Sequence, residues 1–388
     1  MNTKKFRTKT EIVNRNNGKV PGKWEIALDV GYSSVKVFAP NKYASFPSYA
    51  SRIDDSFDYA TDAPDSSIVY KDLDTNEMWL VGEVAQNIMK SGDTSDSELA
   101  LYGRERWSHP MTKAIVRAGL GIGALENDFG APGDDKIVVQ TGLPERYLTG
   151  DTPMIKDVLE GTHNFALRVG KGEWKLFRDF TININDIGVM SQPKGTLFSV
   201  CIEKNGEFHP DAQKYLTSSI IVFDPGFGTL DLFPIRAGVV GKGETNDRLG
   251  MMRVFQETSK LIKENFSVDV PVPEMQKYLN TGKVRYSDRK TFKSKDYEFD
   301  KLLAMANNKI CDEAIAWLTS VVTLTDYNYM IITGGTGAAW DYKIREKFKD
   351  FTTLQLIAGN QNDELPLIYS NVRGYYLWRF NKLGRTNS

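Results

Sequence analysis

Cysteine is nearly absent: Cys201 and Cys311 are the only two in 388 residues, too few for a disulfide framework and in no zinc-type spacing. A disulfide-stapled or zinc-stapled scaffold is excluded, and a reducing, cytoplasmic setting is expected. Histidine is scarce too. His109, His163 and His209 are dispersed, without the paired spacing of a zinc site, and read as structural residues. No stretch approaches the roughly eighteen uninterrupted apolar residues of a membrane span. The lysines near the N-terminus are not followed by the apolar core of a signal peptide, so neither export nor a membrane partner is expected. Net charge is also missing, since 49 Lys and Arg stand against 50 Asp and Glu. A molecule so balanced has no electrostatic footprint for coating nucleic acid, and direct DNA binding is not expected.

What is present is an ordinary globular composition, 41% apolar and 26% charged. The length suggests two or three domains at roughly 150 residues each. Strand-like and helix-like runs alternate, which predicts α/β layers with mostly buried sheets. Residues 1–23 carry Lys4, Lys5, Arg7, Lys9, Arg15, Lys19 and Lys23 against Glu11 alone. They read as a basic, solvated tail, with a docking arm as the other reading. Residues 51–77 turn acidic and read as a peripheral, loop-rich insertion. Helical spacing covers 111–125, 250–266 and 299–324, and a closing helix is expected over 372–383. A short buried strand is expected over 136–140, stopped by Thr141-Gly142-Leu143-Pro144. Runs 164–169 and 173–180 flank Gly170-Lys171-Gly172 as a hairpin, and a further strand leads into Val189-Met190-Ser191-Gln192-Pro193.

Three times an apolar strand runs into a polar, glycine-flanked turn. The first is Leu28-Asp29-Val30-Gly31-Tyr32-Ser33-Ser34-Val35-Lys36, the second Phe223-Asp224-Pro225-Gly226-Phe227-Gly228-Thr229-Leu230-Asp231, the third Ile332-Thr333-Gly334-Gly335-Thr336. The first two are hairpins of one design, which suggests two related α/β domains facing one another across a cleft. A lone Asp-Gly turn also serves as a plain hairpin. As a pair, the backbone N–H groups of Tyr32 to Ser34 and of Phe227 to Thr229 can form nests for phosphate oxygens. Two opposed carboxylates would repel a polyphosphate, so a divalent cation, Mg2+, is expected between them, held by Asp29 and Asp224 largely through water. Lys36 can return to the phosphates as a point charge, or remain an exposed strand lysine. In the third turn Gly334 and Gly335 permit close approach of a flat ligand, and Thr336 can cap the following helix. A nicotinamide-dinucleotide turn competes, but the spacing is not G-x-G-x-x-G and no ribose-binding acid follows.

The ordered set of two phosphate hairpins and an adenosine turn resembles the actin, sugar kinase and heat-shock chaperone ATPase superfamily, over about residues 24–380. Within it, the length, Thr141-Gly142-Leu143-Pro144 and the wording of the second hairpin are most similar to bacterial actin-like proteins of the ParM and Alp type, which segregate plasmids. The resemblance implies a two-domain α/β fold with a nucleotide cleft between the domains. Residues 24–215 would form the first domain, including a smaller insertion at about 45–110, residues 216–370 the second, and 371–388 a helix returning to the first. It further implies ATP, with GTP possible, Mg2+, slow hydrolysis, self-assembly into filaments, and movement of plasmid DNA through an adaptor protein bound to centromere-like DNA. Nucleotide contacts would come from Asp29, Gly31, Tyr32, Ser33, Ser34, Lys36, Asp224, Gly226, Phe227, Gly228, Thr229, Gly334, Gly335 and Thr336. Gln192, where ParM proteins commonly have Glu and actin has Gln, is the catalytic candidate, a neutral amide that orients an in-line water. The alternative is a small-molecule kinase of the same fold, with Asp186 as general base. A chaperone-like or membrane-scaffold switch is a third reading. The acidic segment 51–77 and the basic Lys283, Arg285, Arg289, Lys290, Lys293 and Lys295 are expected either to steer head-to-tail contacts or to be solvated loops.

Overall fold

The computed structural model describes residues 2–88, 103–171, 176–288 and 290–386. In the first lobe the sheet is built on β2 (Lys23–Val30), buried at every residue after Lys23. A strand covered on both faces carries a continuous apolar run in place of an alternation. Strands β3 (Ser34–Ala39) and β4 (Lys42–Pro47) follow antiparallel, and β1 (Glu11–Asn14) closes the edge against β4. On the other side β8 (Lys136–Leu143) and β11 (Ile187–Ser191) add in parallel, giving the order β1-β4-β3-β2-β8-β11.

A second, antiparallel sheet has the order β10 (Arg178–Ile184), β9 (Gly161–Val169), β6 (Ile68–Asp72), β7 (Met78–Val81), β5 (Ala50–Ile53). Helix Pro110–Ala124 lies between the two sheets and is buried almost all round, as an apolar helix covered on both sides must be. Its glycines set the spacing: Gly119 and Gly123 abut Leu28 and Ile26 of one sheet, while Gly121 abuts Leu167 and Phe165 of the other.

The second lobe holds the sheet β14 (Val239–Val240), β13 (Leu230–Arg236), β12 (Ile220–Pro225), β18 (Tyr329–Ile332), β19 (Gln355–Ala358), with β15 (Glu244–Asn246) also on β13. Helices Met251–Phe266, Asp300–Val321 and Gly334–Phe348 contribute Phe255, Leu303 and Trp340 to its core. A hairpin of β16 (Lys283–Ser287) and β17 (Ser294–Glu298) projects from this lobe. The lobes join through helices Gln192–Cys201 and Ser370–Thr386, in a third core that unites Ala27 and Phe38 of one sheet with Ile220 and Val222 of the other. The two helices meet backbone to backbone: a Cβ on Gly374 would lie 1.7 Å from the Gly195 carbonyl oxygen.

Several expectations are corrected. Residues 2–17 are not a solvated tail, because β1 pairs with β4, Arg7 is ion-paired to Glu83, and Arg15 forms a two-pronged pair with Asp363. The acidic segment is not loop throughout: β5 and β6 enter it, and Asp72 is buried against Lys113 and Arg117. Strand β8 does not stop before Thr141, since Gly142 continues the ladder opposite Met190. The hairpin near Gly170 is made by β9 and β10, with Gly172, Glu173, Trp174 and Lys175 outside the described residues. Arg289 lies outside them too, and two of the other five basic residues are paired across the hairpin, Arg285 with Asp296 and Lys283 with Glu298.

Candidate functional site

Strands β2 and β3 pair so that Asp29 stands opposite Lys36, and β12 and β13 so that Asp224 stands opposite Asp231. In each hairpin the first glycine donates its N–H back across the turn, Gly31 to the Ser34 carbonyl at 3.1 Å and Gly226 to the Thr229 carbonyl at 2.7 Å. The two turns are the same object built twice, one in each lobe. They open on one cleft of about 560 Å³, within the usual range for a small-molecule site.

Every residue expected from the sequence to touch nucleotide, and Gln192 with them, lines that cleft: Asp29, Gly31, Tyr32, Ser33, Ser34, Lys36, Gln192, Asp224, Gly226, Phe227, Gly228, Thr229, Gly334, Gly335 and Thr336. Asp29 accepts from Lys36 Nζ at 3.1 Å and from Gln192 Nε2 at 3.0 Å. Gln192 begins its helix directly after β11, with Pro193 in the first turn, where a missing N–H costs nothing. Asp224 accepts from Asn371 Nδ2 at 2.8 Å. Gly334, at φ +79°, needs its lack of a side chain, because a Cβ there would lie 2.8 Å from Asp224 Oδ1. Thr336 does not cap its helix. Its hydroxyl donates to the Gly226 carbonyl at 2.7 Å and so ties the third turn to the second hairpin.

Burial pushes Asp224 up to about 7, with the Asn371 bond opposing and the charges of Asp231 and Asp29 adding. Asp231 is pushed up to about 6 by burial, against hydrogen bonds from Thr245 and Thr229. Asp29, Asp224 and Asp231 all line the cleft, with Lys36 ion-paired to Asp29 and the buried Arg106 within Coulombic reach of it. A divalent cation with its own waters fits this donor set, since it would relieve the repulsion that Asp29 and Asp231 exert on Asp224. Among the described residues no three His, Cys, Asp or Glu side chains are grouped to hold a metal.

Some cleft residues had no local signal. Arg106 is buried, donates to the Val30 carbonyl at 2.8 Å, and lies 4.4 Å over the Tyr32 ring, holding the first turn from behind. Asn371 acts from the closing helix, far away in sequence. Asp186, the general base of the kinase alternative, precedes β11 at the end opposite Gln192 and is ion-paired with Arg379. Five strand residues separate the ends, about 17 Å at the usual rise, so Asp186 takes no part in the cleft. The histidines are structural: His109 accepts from Met111 N, His163 bonds Arg117 and the Leu159 carbonyl, and His209 accepts from Asp211 N.

Residues 27–195 match the family model described as actin like proteins N terminal domain. A ParM described as the pCBH non-polymerisable quadruple mutant superposes with a TM-score of 0.68 at 21% identity, covering 94% of this chain and 99% of that one. The chain has the actin-like fold. A 15-stranded ParM filament from Clostridium botulinum is similar too, with a TM-score of 0.64, 20% identity and coverage of 92% and 99%. An archaeal actin homolog solved in complex with ADP gives a TM-score of 0.60 at 16% identity, with coverage of 90% and 97%. No curated protein matches by sequence. In actin-like terms the two hairpins are one in each lobe, and the helix pair Gln192–Cys201 and Ser370–Thr386 is the bridge beneath them. Among the described residues no helix is long and apolar enough to cross a membrane.

Proposed function

We propose that this chain is an ATPase that assembles with Mg-ATP into filaments and disassembles after hydrolysis. The observation that carries the reading is the repeated hairpin, opening from both lobes on a single carboxylate-rich cleft. The turns Tyr32–Ser34 and Phe227–Thr229 bind phosphate oxygens through backbone N–H groups, and Lys36 adds a positive charge. Asp29 and Asp224 would hold Mg2+, which when bound would neutralise the phosphates and polarise the terminal phosphoryl group. Gly334, Gly335 and Thr336 accept the adenosine, and the phosphate chemistry is the same for GTP. Gln192, now bonded to Asp29, swings to orient the attacking water. An amide orients without removing a proton outright, so turnover is slow.

Assembly is supported by likeness to a ParM filament and an Alp12 filament. The cellular role proposed with it is plasmid segregation through an adaptor bound to centromere-like DNA. Light scattering with Mg-ATP tests the reading. Wild type should scatter, Asp224→Ala should not, and Gln192→Ala should assemble into polymers that outlast the wild type as its ATPase falls, by about a hundredfold. Scattering that stays flat with either nucleotide, or phosphate transfer to a metabolite in its place, would reject it.

A further inference from the structure

The cleft has a wall that neither the hairpins nor the third turn supplies. Residues 4–11 line it from the N-terminal segment. That segment is fastened to both lobes. On the second-lobe side, the Thr3 hydroxyl donates to the Leu279 carbonyl at 2.8 Å and the Thr8 N–H to Gln276 Oε1 at 2.9 Å. On the first-lobe side, the Thr10 N–H donates to Glu83 Oε2 at 3.0 Å, and from Glu11 onward the chain becomes the edge strand against β4. Arg7 spans the seam: one nitrogen reaches Glu83 at 2.7 Å and the other Asn280 at 3.4 Å.

The strap also lies toward the third turn. The Lys9 carbonyl accepts from Ser45 Oγ at 3.5 Å, Ser45 bonds Tyr369, and the neighbouring Ile368 would stand 3.1 Å from a Cβ on Gly335. Lys4, Lys5 and Lys9 bring cations to the mouth of a cleft whose floor is acidic.

We infer that residues 3–10 form a strap that completes the nucleoside end of the nucleotide site and must release one lobe before nucleotide can leave. The inference rests on the nucleotide-binding reading above. With the segment rooted in the first lobe by Thr10 and β1, the bonds from Arg7 to Asn280 and from Thr8 to Gln276 hold only when the lobes are closed together, so a nucleotide that draws the lobes inward stabilises the strap, and the strap in turn slows nucleotide escape. The ligand class is a purine nucleoside di- or triphosphate with its metal.

Release of a fluorescent ADP analogue with Mg2+, chased by unlabelled ADP, is measured for wild type, Arg7→Ala and a chain lacking residues 2–9. Hydrogen exchange at the Thr8 and Thr10 amides is followed with and without Mg-ADP. Release should quicken by about tenfold in the shortened chain and by a smaller factor in Arg7→Ala. Exchange at both amides should slow by about tenfold when Mg-ADP is bound, a response that a merely structural N-terminus would not give. If wild type binds the analogue but release is unchanged in Arg7→Ala and exchange ignores the nucleotide, the strap is rejected while nucleotide binding stands. If wild type binds no analogue, the nucleotide reading itself falls.

Discussion

Asp224 and Lys42 show how burial sets charge in this molecule. Asp224 sits among carboxylates at the cleft, whereas Lys42 is buried far from it, its ammonium donating to Asn41 Oδ1 and to the Leu125 carbonyl. Burial pushes Lys42 down to about 7. A lysine whose folded pKa lies below its unfolded value leaves the unfolded chain holding more protons between about 7 and 10.4, so stability rises with pH across that window. Thermal melting of wild type should therefore climb by several degrees from pH 7 to pH 10, and Lys42→Met should remove the climb. Equal slopes in both proteins would mean that the ammonium is not held in an environment that disfavours charge. The cleft residues belong to a different class: their types and spacing were legible because Asp-x-Gly at the end of an apolar strand is a local pattern. Asn371 and Arg106 were not, since each reaches its partner only through the folded chain.

Elements were legible where one periodicity ruled. The strand β2, which carries Asp29 near its end, and the helix beginning at Met251 follow from runs of apolar residues. The N-terminal segment was misread because its charges suggest solvent, and only tertiary partners such as Glu83, Gln276 and Asp363 order it. The bridge of helices Gln192–Cys201 and Ser370–Thr386 has its own test. Gly374→Ala drives a methyl into the Gly195 carbonyl and should destabilise by about 3 kcal/mol, the upper end of the usual overpacking range. Gly384→Ala in the same helix meets nothing within 4 Å and should be neutral or slightly stabilising. Denaturant titration compares the two, and an equal response would mean that the helices do not cross where these glycines stand.

At the scale of the whole molecule, the two lobes have separate cores, a common bridge and a shared cleft, which is why ligand binding and lobe closure are expected to be coupled. The two-lobe α/β fold was visible in the sequence as the Asp hairpin repeated once in each half. The second sheet of the first lobe was not, because β5, β6 and β7 are short and β5 and β6 run into the acidic segment. A crystal structure with Mg2+ and a non-hydrolysable ATP analogue tests the central claim most directly. The phosphates should lie between the two turns, with the metal's waters on Asp29 and Asp224. Phosphates bound elsewhere, or held by one hairpin with the other turned away, would contradict it.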